Sequence, residues 1–241
     1  MIRRIAVGID LEPPSTRAAR WAAHVFGQAA ELLLVHCLST RPAPPFLEDL
    51  VAPLEERARA AHEEARARLE KLAESLRASR VSVEIRRGRP AEVLAEVAAD
   101  READLAVLGE HGRRPALRGS LGSSASQLPS ICPVPVLIKR HLPERHPKRV
   151  LAAVDHSGGA DAVLRWAARL STAPRGPIQL IIHMSMEPEW SHEQSRPEER
   201  GRTGEDQNRL RLAREWLANS AEEAGLPAAT IDVSSGDPRY E

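Results

Sequence analysis

An internal repeat constrains this chain more than any other feature. Ile5-Ala6-Val7-Gly8-Ile9-Asp10 is matched by Val150-Leu151-Ala152-Ala153-Val154-Asp155. Eleven residues after each Asp stands a Trp, Trp21 and Trp166, each followed by two alanines. An apolar run ending in His follows in both copies, Leu32 to His36 and Leu180 to His183, and then Gly88-Arg89-Pro90 and Gly236-Asp237-Pro238. The offset between the copies stays between 145 and 148 residues, the mark of a tandem duplication. A chain built this way folds as two copies of one supersecondary pattern.

That pattern alternates strand and helix. In the first copy the periodicity predicts strand 3–10, helix 15–29, strand 31–38, a proline-rich loop 39–45 and a long helix 46–79. Strand 81–87, helix 90–101, strand 104–109, a glycine loop, helix 122–131 and strand 134–139 complete it. In the long helix Leu47, Leu50, Leu54, Ala58, Ala61, Ala65, Leu69, Leu72 and Leu76 recur in steps of three and four and form one apolar stripe. Strands alternating with helices imply right-handed crossovers and a doubly wound parallel sheet of the α/β class. Aromatic residues make up only 3% of the chain, so its core is aliphatic. The second copy has only Arg239, Tyr240 and Glu241 after Gly236-Asp237-Pro238, so it is read as an incomplete unit without a glycine loop. The expected organisation is a first domain at 1–140, a linker at 141–147 and a second domain at 148–241, with a flexible loop at 187–206.

Chemistry concentrates in one stretch. Gly109-Glu110-His111-Gly112 is followed after nine residues by Gly122-Ser123, between the apolar strand Asp104 to Leu108 and a helix start. Strand, glycine-punctuated loop and helix N-terminus suit a polyphosphate. Small residues let the backbone approach the oxygens, and the amides of the first helical turn donate to them. The same three glycines also serve as plain turns, Ser123 and Ser124 as plain N-caps, and Asp10 as a cap for the first helix. His36 and His183 are read as structural, Trp21 and Trp166 as core, and His111 as a minor candidate for a phosphate contact. No G-x4-G-K-[ST] or G-x-G-x-x-G is present, which excludes the P-loop and dinucleotide readings. Nor is there a nucleophile–base–orienter constellation, so binding without efficient turnover is expected, and no catalytic residue is assigned.

Lys plus Arg and Asp plus Glu are both 34, so the net charge of zero gives no reason to expect nucleic acid or an acidic membrane as partner. The basic run from Lys139 to Arg149 carries two prolines and no aromatic residue and reads as a solvated linker. Cys37 and Cys132, in apolar strand-like surroundings, suit a reducing compartment. With no membrane-length apolar run and no signal-peptide pattern, the expected location is the cytoplasm.

These motifs resemble the universal stress protein family, the first copy over about residues 2–140 and the second over about 148–238. The family's nucleotide binders carry G-x2-G-x9-G-[ST], which here is Gly109, Gly112, Gly122 and Ser123. The resemblance also covers the strand ending in Asp10 and the closing Pro135-Val136-Leu137-Ile138. It implies a five-stranded parallel sheet flanked by helices that binds ATP or a related adenine nucleotide. Asp10 and the backbone near Gly8 are then expected to face the adenosine, and Cys37 the adenine. Gly109, Gly112 and Arg113 wrap phosphate and ribose, Gly122, Ser123 and Ser124 cap the phosphates, and Mg²⁺ neutralises them. The resemblance further implies a homo-oligomer formed through the last strand, Val134–Lys139. The alternatives are an interaction protein of the same fold with an empty pocket, and a slow ATPase. Three departures stand out: Gly8 where Pro or a small apolar residue is common, Glu110 where Ser or Thr is common, and Leu11-Glu12-Pro13-Pro14 for the usual small polar turn.

Overall fold

The computed structural model describes residues 2–38, 51–110, 121–140, 149–155, 158–171, 179–186, 204–226 and 228–235. The chain divides into two compact units, Met1–Arg145 and His146–Glu241. Unit 1 runs β1 (Arg4–Ile9), α1 (Pro13–Phe26), β2 (Glu31–Leu38), α2 (Val51–Ser75), β3 (Arg80–Arg87), α3 (Pro90–Asp100), β4 (Leu105–Gly109), α4 (Ser123–Ile131) and β5 (Val136–Lys139). Its strands form one parallel sheet in the order β3-β2-β1-β4-β5. This is the doubly wound five-stranded sheet expected from the repeat.

The central strands are apolar on both faces because helices cover both. Ala6, Leu33, Val35, Ala106 and Leu108 pack with Val93, Leu94 and Val97 of α3 and with Ala125 and Leu128 of α4. Alternation turns Ile5, Val7, Leu32, Leu34, Leu105 and Val107, all buried, to the other face. There α1 contributes Ala18, Ala19, Trp21, Ala22 and Ala23, and Trp21 meets Phe26 edge to face with ring centroids 5.8 Å apart. The first helix starts at Pro13 rather than at 15. Pro13 and Pro14 occupy the first turn, where a missing N–H leaves nothing unsatisfied, and the helix stops at Phe26 before Gly27.

Among the positions of the α2 stripe whose burial is described, those toward the C-terminal end are buried. Ala65, Leu69, Leu72 and Leu76 are buried, Ala58 is half-buried and Ala61 is exposed. A helix of 25 residues is about 37 Å long. The eight-residue strand β3 spans roughly 26 Å. Part of α2 therefore outruns the sheet. Leu47 and Leu50 lie outside the described residues, as does the proline-rich loop.

Unit 2 runs β6 (Arg149–Val154), α5 (Ala160–Ser171), β7 (Gln179–Met186), α6 (Gly204–Glu223) and β8 (Thr230–Ser235). Its strands form a parallel sheet in the order β6-β7-β8, the counterpart of β1-β2-β3. Ala152, Val154, Leu164, Leu217 and Val233 form its core. The other face of β6 is open: Leu151, the counterpart of the fully buried Ala6, is 67% exposed. The expected loop 187–206 ends earlier, since Gly204 already begins α6; residues 187–203 lie outside the described residues.

Two sequence equivalences need correction. Ile9 pairs in register with His36, whereas Val154 pairs with Met184 and His183 pairs with Ala153. His183 therefore holds the register position of Val35, not of His36, because one residue of slip moves a strand position to the opposite parity. Cys132 is the C-cap of α4 rather than part of a strand, while Cys37 lies in β2 as expected. Trp166 is half-buried with the Arg169 guanidinium 5.3 Å over its ring, a helix-face residue rather than full core.

Asp104 fastens the start of the sheet. Its Oδ2 accepts the backbone N–H groups of Arg3 at 2.7 Å and Arg4 at 3.0 Å, joining the entry of β4 to that of β1. Partial burial pushes this carboxyl up, but the two N–H donors and the Arg3 charge outweigh it and hold its pKa below the ordinary Asp value. A depressed carboxylate stabilises the fold above the unfolded-state pKa, and that contribution disappears as pH falls through the folded-state pKa. Urea midpoints measured from pH 7 to acid should therefore fall more steeply for wild type than for Asp104→Asn, with the two curves converging in acid.

Candidate functional site

The strand order fixes where a site forms. From β1 the chain passes to α1 on one face of the sheet, and from β4 it passes to α4 on the other. The two connections part between adjacent strands and leave a crevice at the strands' carboxyl ends. A cleft of about 150 Å³ lies there. Val35, Ala91, Leu94, Leu108 and Leu128 give it an apolar floor, and Asp10, Ser15, Cys37, Glu110, Ser123 and Ser124 contribute its polar groups.

Of the expected site residues, Gly8, Asp10, Cys37, Gly109, Gly122, Ser123 and Ser124 all line this cleft. Gly112, Arg113 and the minor candidate His111 lie outside the described residues. Gly122 is the N-cap of α4 in extended backbone, and no side chain caps this terminus. Its N–H donates to the Glu110 carbonyl at 2.8 Å, which ties the helix start to the end of β4. The Ser126 amide returns to the Gly122 carbonyl, whereas the amides of Ser123, Ser124 and Ala125 fall in the first turn, where no helical acceptor exists. Ser123 and Ser124 are thus helix residues rather than N-caps.

Gly109 has a local task. A Cβ there would stand 2.8 Å from the Pro14 carbonyl carbon and oxygen and 3.0 Å from the Ser15 nitrogen. Backbone, not a flexible side chain, blocks the space, so α1 can begin against β4 only if position 109 is bare. Gly8 is less constrained, because its missing Cβ would meet the movable Leu94 Cδ2 at 2.9 Å.

Asp10 does not cap α1; Glu12 holds the N-cap position. Asp10 Oδ1 instead accepts the Ser15 hydroxyl at 2.6 Å and the Glu12 N–H at 3.0 Å, while the Asp10 N–H donates to Ser15 Oγ at 3.2 Å. Between them Leu11 sits at φ +65°, a left-handed backbone that a branched side chain adopts only where neighbours hold it. Glu110, a carboxylate that lines the cleft, is engaged by Arg140, with Nε 3.3 Å from Oε2, and is largely shielded from solvent. Cys37 Sγ donates to the Gly88 carbonyl at 3.0 Å, and burial pushes the thiol's pKa up, so it is protonated at neutral pH. His36 is structural as expected: buried, with Nδ1 2.7 Å from the Ile9 carbonyl at the end of β1.

Sequence reasoning missed the apolar floor and Ser15. The floor had a signal, since Gly88-Arg89-Pro90 recurs in the repeat. Gly88 takes φ +149° and Pro90 opens α3, which carries Ala91 and Leu94 into the cleft. Ser15 had none, being one more polar residue at a helix start. Among the described lining residues no Lys, Arg or His appears. Among the described residues no group of three or more His, Cys, Asp or Glu is arranged to hold a metal ion, and no helix is long and apolar enough to cross a membrane.

Fold and cleft together define a doubly wound α/β domain with an amide-rich crevice at its switch point. The family model of the universal stress proteins matches residues 1–140 and 146–241. The chain belongs to the universal stress protein family, in tandem arrangement. Among solved structures it is similar to a universal stress protein from Archaeoglobus fulgidus, with 18% identity over 98% of this chain and 80% of that one, TM-score 0.61. A putative universal stress protein from Pseudomonas aeruginosa is also similar, with 17% identity over 98% of this chain and 75% of that one, TM-score 0.57. The hypothetical protein MJ0577 is 22% identical over 59% of this chain and 99% of its own, TM-score 0.52. At these identities the likeness is one of fold. No curated protein matches the sequence.

The contact of Gly109 with α1 makes a direct prediction. Gly109→Ala should lower stability by about 1–3 kcal/mol, the range for overpacking a close contact, read as a drop in the urea midpoint at unchanged slope.

Proposed function

We propose that the unit 1 cleft binds an adenine nucleotide, ATP in the first instance, and that occupancy serves a regulatory role in a stress response. The observation that carries this reading is the N-terminus of α4, without a side-chain cap, lining the same crevice as Asp10. Amides suit an anionic tail, a carboxylate suits hydroxyl or amine donors, and the apolar floor suits a planar base. Asp10 and the backbone at Gly8 face the adenosine, and Cys37 lies toward the base. Gly122, Ser123 and Ser124 hold phosphate, with Gly109, Gly112 and Arg113 on the loop that crosses the phosphates. Mg²⁺ enters with the phosphates, whose oxygens provide its ligands. Binding with little turnover fits a cleft in which each described carboxylate has a partner on one oxygen, Asp10 with Ser15 and Glu110 with Arg140.

Titration calorimetry with Mg-ATP tests the site. Wild type should bind, and Gly122→Val should weaken binding by about tenfold or more, the weight of a lost charge-assisted hydrogen bond. Equal affinity in the two proteins would remove the phosphate subsite from this helix.

Self-association is the second element of the reading. β5 is one of the two edge strands of the unit 1 sheet and is apolar at Val136, Leu137 and Ile138. Such an edge invites pairing with another strand. Sedimentation velocity at micromolar concentration should give a dimer, and Leu137→Pro should shift it to monomer. A wild-type protein that sediments as a monomer would refute the pairing.

A further inference from the structure

Ser15 is a buried polar side chain in the cleft for which the nucleotide reading needs no role. It is 4% exposed; its Oγ accepts the Asp10 N–H at 3.2 Å, and its hydroxyl hydrogen has two acceptors in reach, Asp10 Oδ1 at 2.6 Å and, farther, the Glu12 carbonyl at 3.0 Å. With the Glu12 N–H also on Oδ1, one carboxylate oxygen of Asp10 is taken by two donors. Among the described residues no donor reaches Oδ2. A carboxylate with one oxygen clamped and the other left in a ligand cleft is prepared to accept hydrogen bonds in one direction only.

The clamp has a backbone foundation. Ser15 belongs to the first turn of α1, and that turn rests on bare Gly109, where any side chain would strike Pro14 and the Ser15 nitrogen. Leu11 keeps its left-handed backbone because Asp10 and Glu12 are pinned on either side of it. The first glycine of the loop motif therefore bears on the cleft by way of the Pro14–Ser15 turn.

We propose that Ser15 is a positioning residue that holds the Asp10 carboxylate so that its second oxygen accepts the sugar hydroxyls of the bound nucleotide. The proposal rests on the nucleotide reading and adds a selectivity to it: ribose is favoured over a sugar without hydroxyls at the 2′ and 3′ positions. A Ser→Ala change at 15 leaves Oδ1 with the Glu12 N–H alone and loosens the carboxylate, whereas Ser→Thr keeps the hydroxyl.

The test compares Mg-ATP with Mg-2′,3′-dideoxy-ATP by calorimetry on wild type, Ser15→Ala, Ser15→Thr and Asp10→Asn, each checked for an intact melting transition. Wild type should favour ATP by about tenfold, the weight of a hydrogen bond to a charged group. Ser15→Ala and Asp10→Asn should bring the ratio near one, and Ser15→Thr should restore it. Scalar couplings of the Asp10 β-protons, without ligand, should report one rotamer in wild type and averaging in Ser15→Ala. A Ser15→Ala protein that keeps the wild-type preference overturns the proposal. So does a wild type that binds both nucleotides equally, and in that case the nucleotide reading survives. A wild type that binds neither refutes both, and the absence of any heat tells that failure apart.

Discussion

Everything in unit 1 follows from the central place of β1, which pairs in parallel with β2 on one side and β4 on the other. Two parallel neighbours oblige the chain to leave β1 and β4 toward opposite faces, because each crossover is right-handed. Ile5, Ala6 and Val7, all fully buried, secure that position, since each face of the strand meets a helical layer. Were β1 an edge strand, the two connections would not part beside it and there would be no crevice for Asp10 and α4 to line together.

Much of this architecture was legible in the sequence. The alternation of strand and helix was read with small errors at the ends, because apolar periodicity reports burial against a sheet. The burial of the α2 stripe failed at Ala61, which is exposed although the apolar periodicity continues through it. The histidine equivalence failed for a different reason. His36 and His183 match by composition, but register is set by the pairing of whole strands, and three residues of drift between the repeats change the parity of one position.

The candidate site was legible in part. Gly8, Asp10, Cys37, Gly109, Gly122, Ser123 and Ser124 meet at one cleft, as their positions at strand ends suggested. What the sequence did not disclose is how they are held. The Asp10–Ser15 pair closes over a turn with a left-handed Leu11, and nothing in the residue pattern marks a hydroxyl that folds back on a carboxylate. The engagement of Glu110 by Arg140 was hidden too, since the two are thirty residues apart and meet only because β4 and β5 are neighbours.

The two units differ in one respect that bears on how the chain responds to concentration. Among the described residues, β1 of unit 1 has a strand on each side and β6 of unit 2 has one neighbour, so the geometry that parts two crossovers is found in unit 1. On the proposed reading, filling of that crevice follows a simple hyperbola, and a sigmoidal response from it would require communication between separate chains, with a steepness that varies with protein concentration.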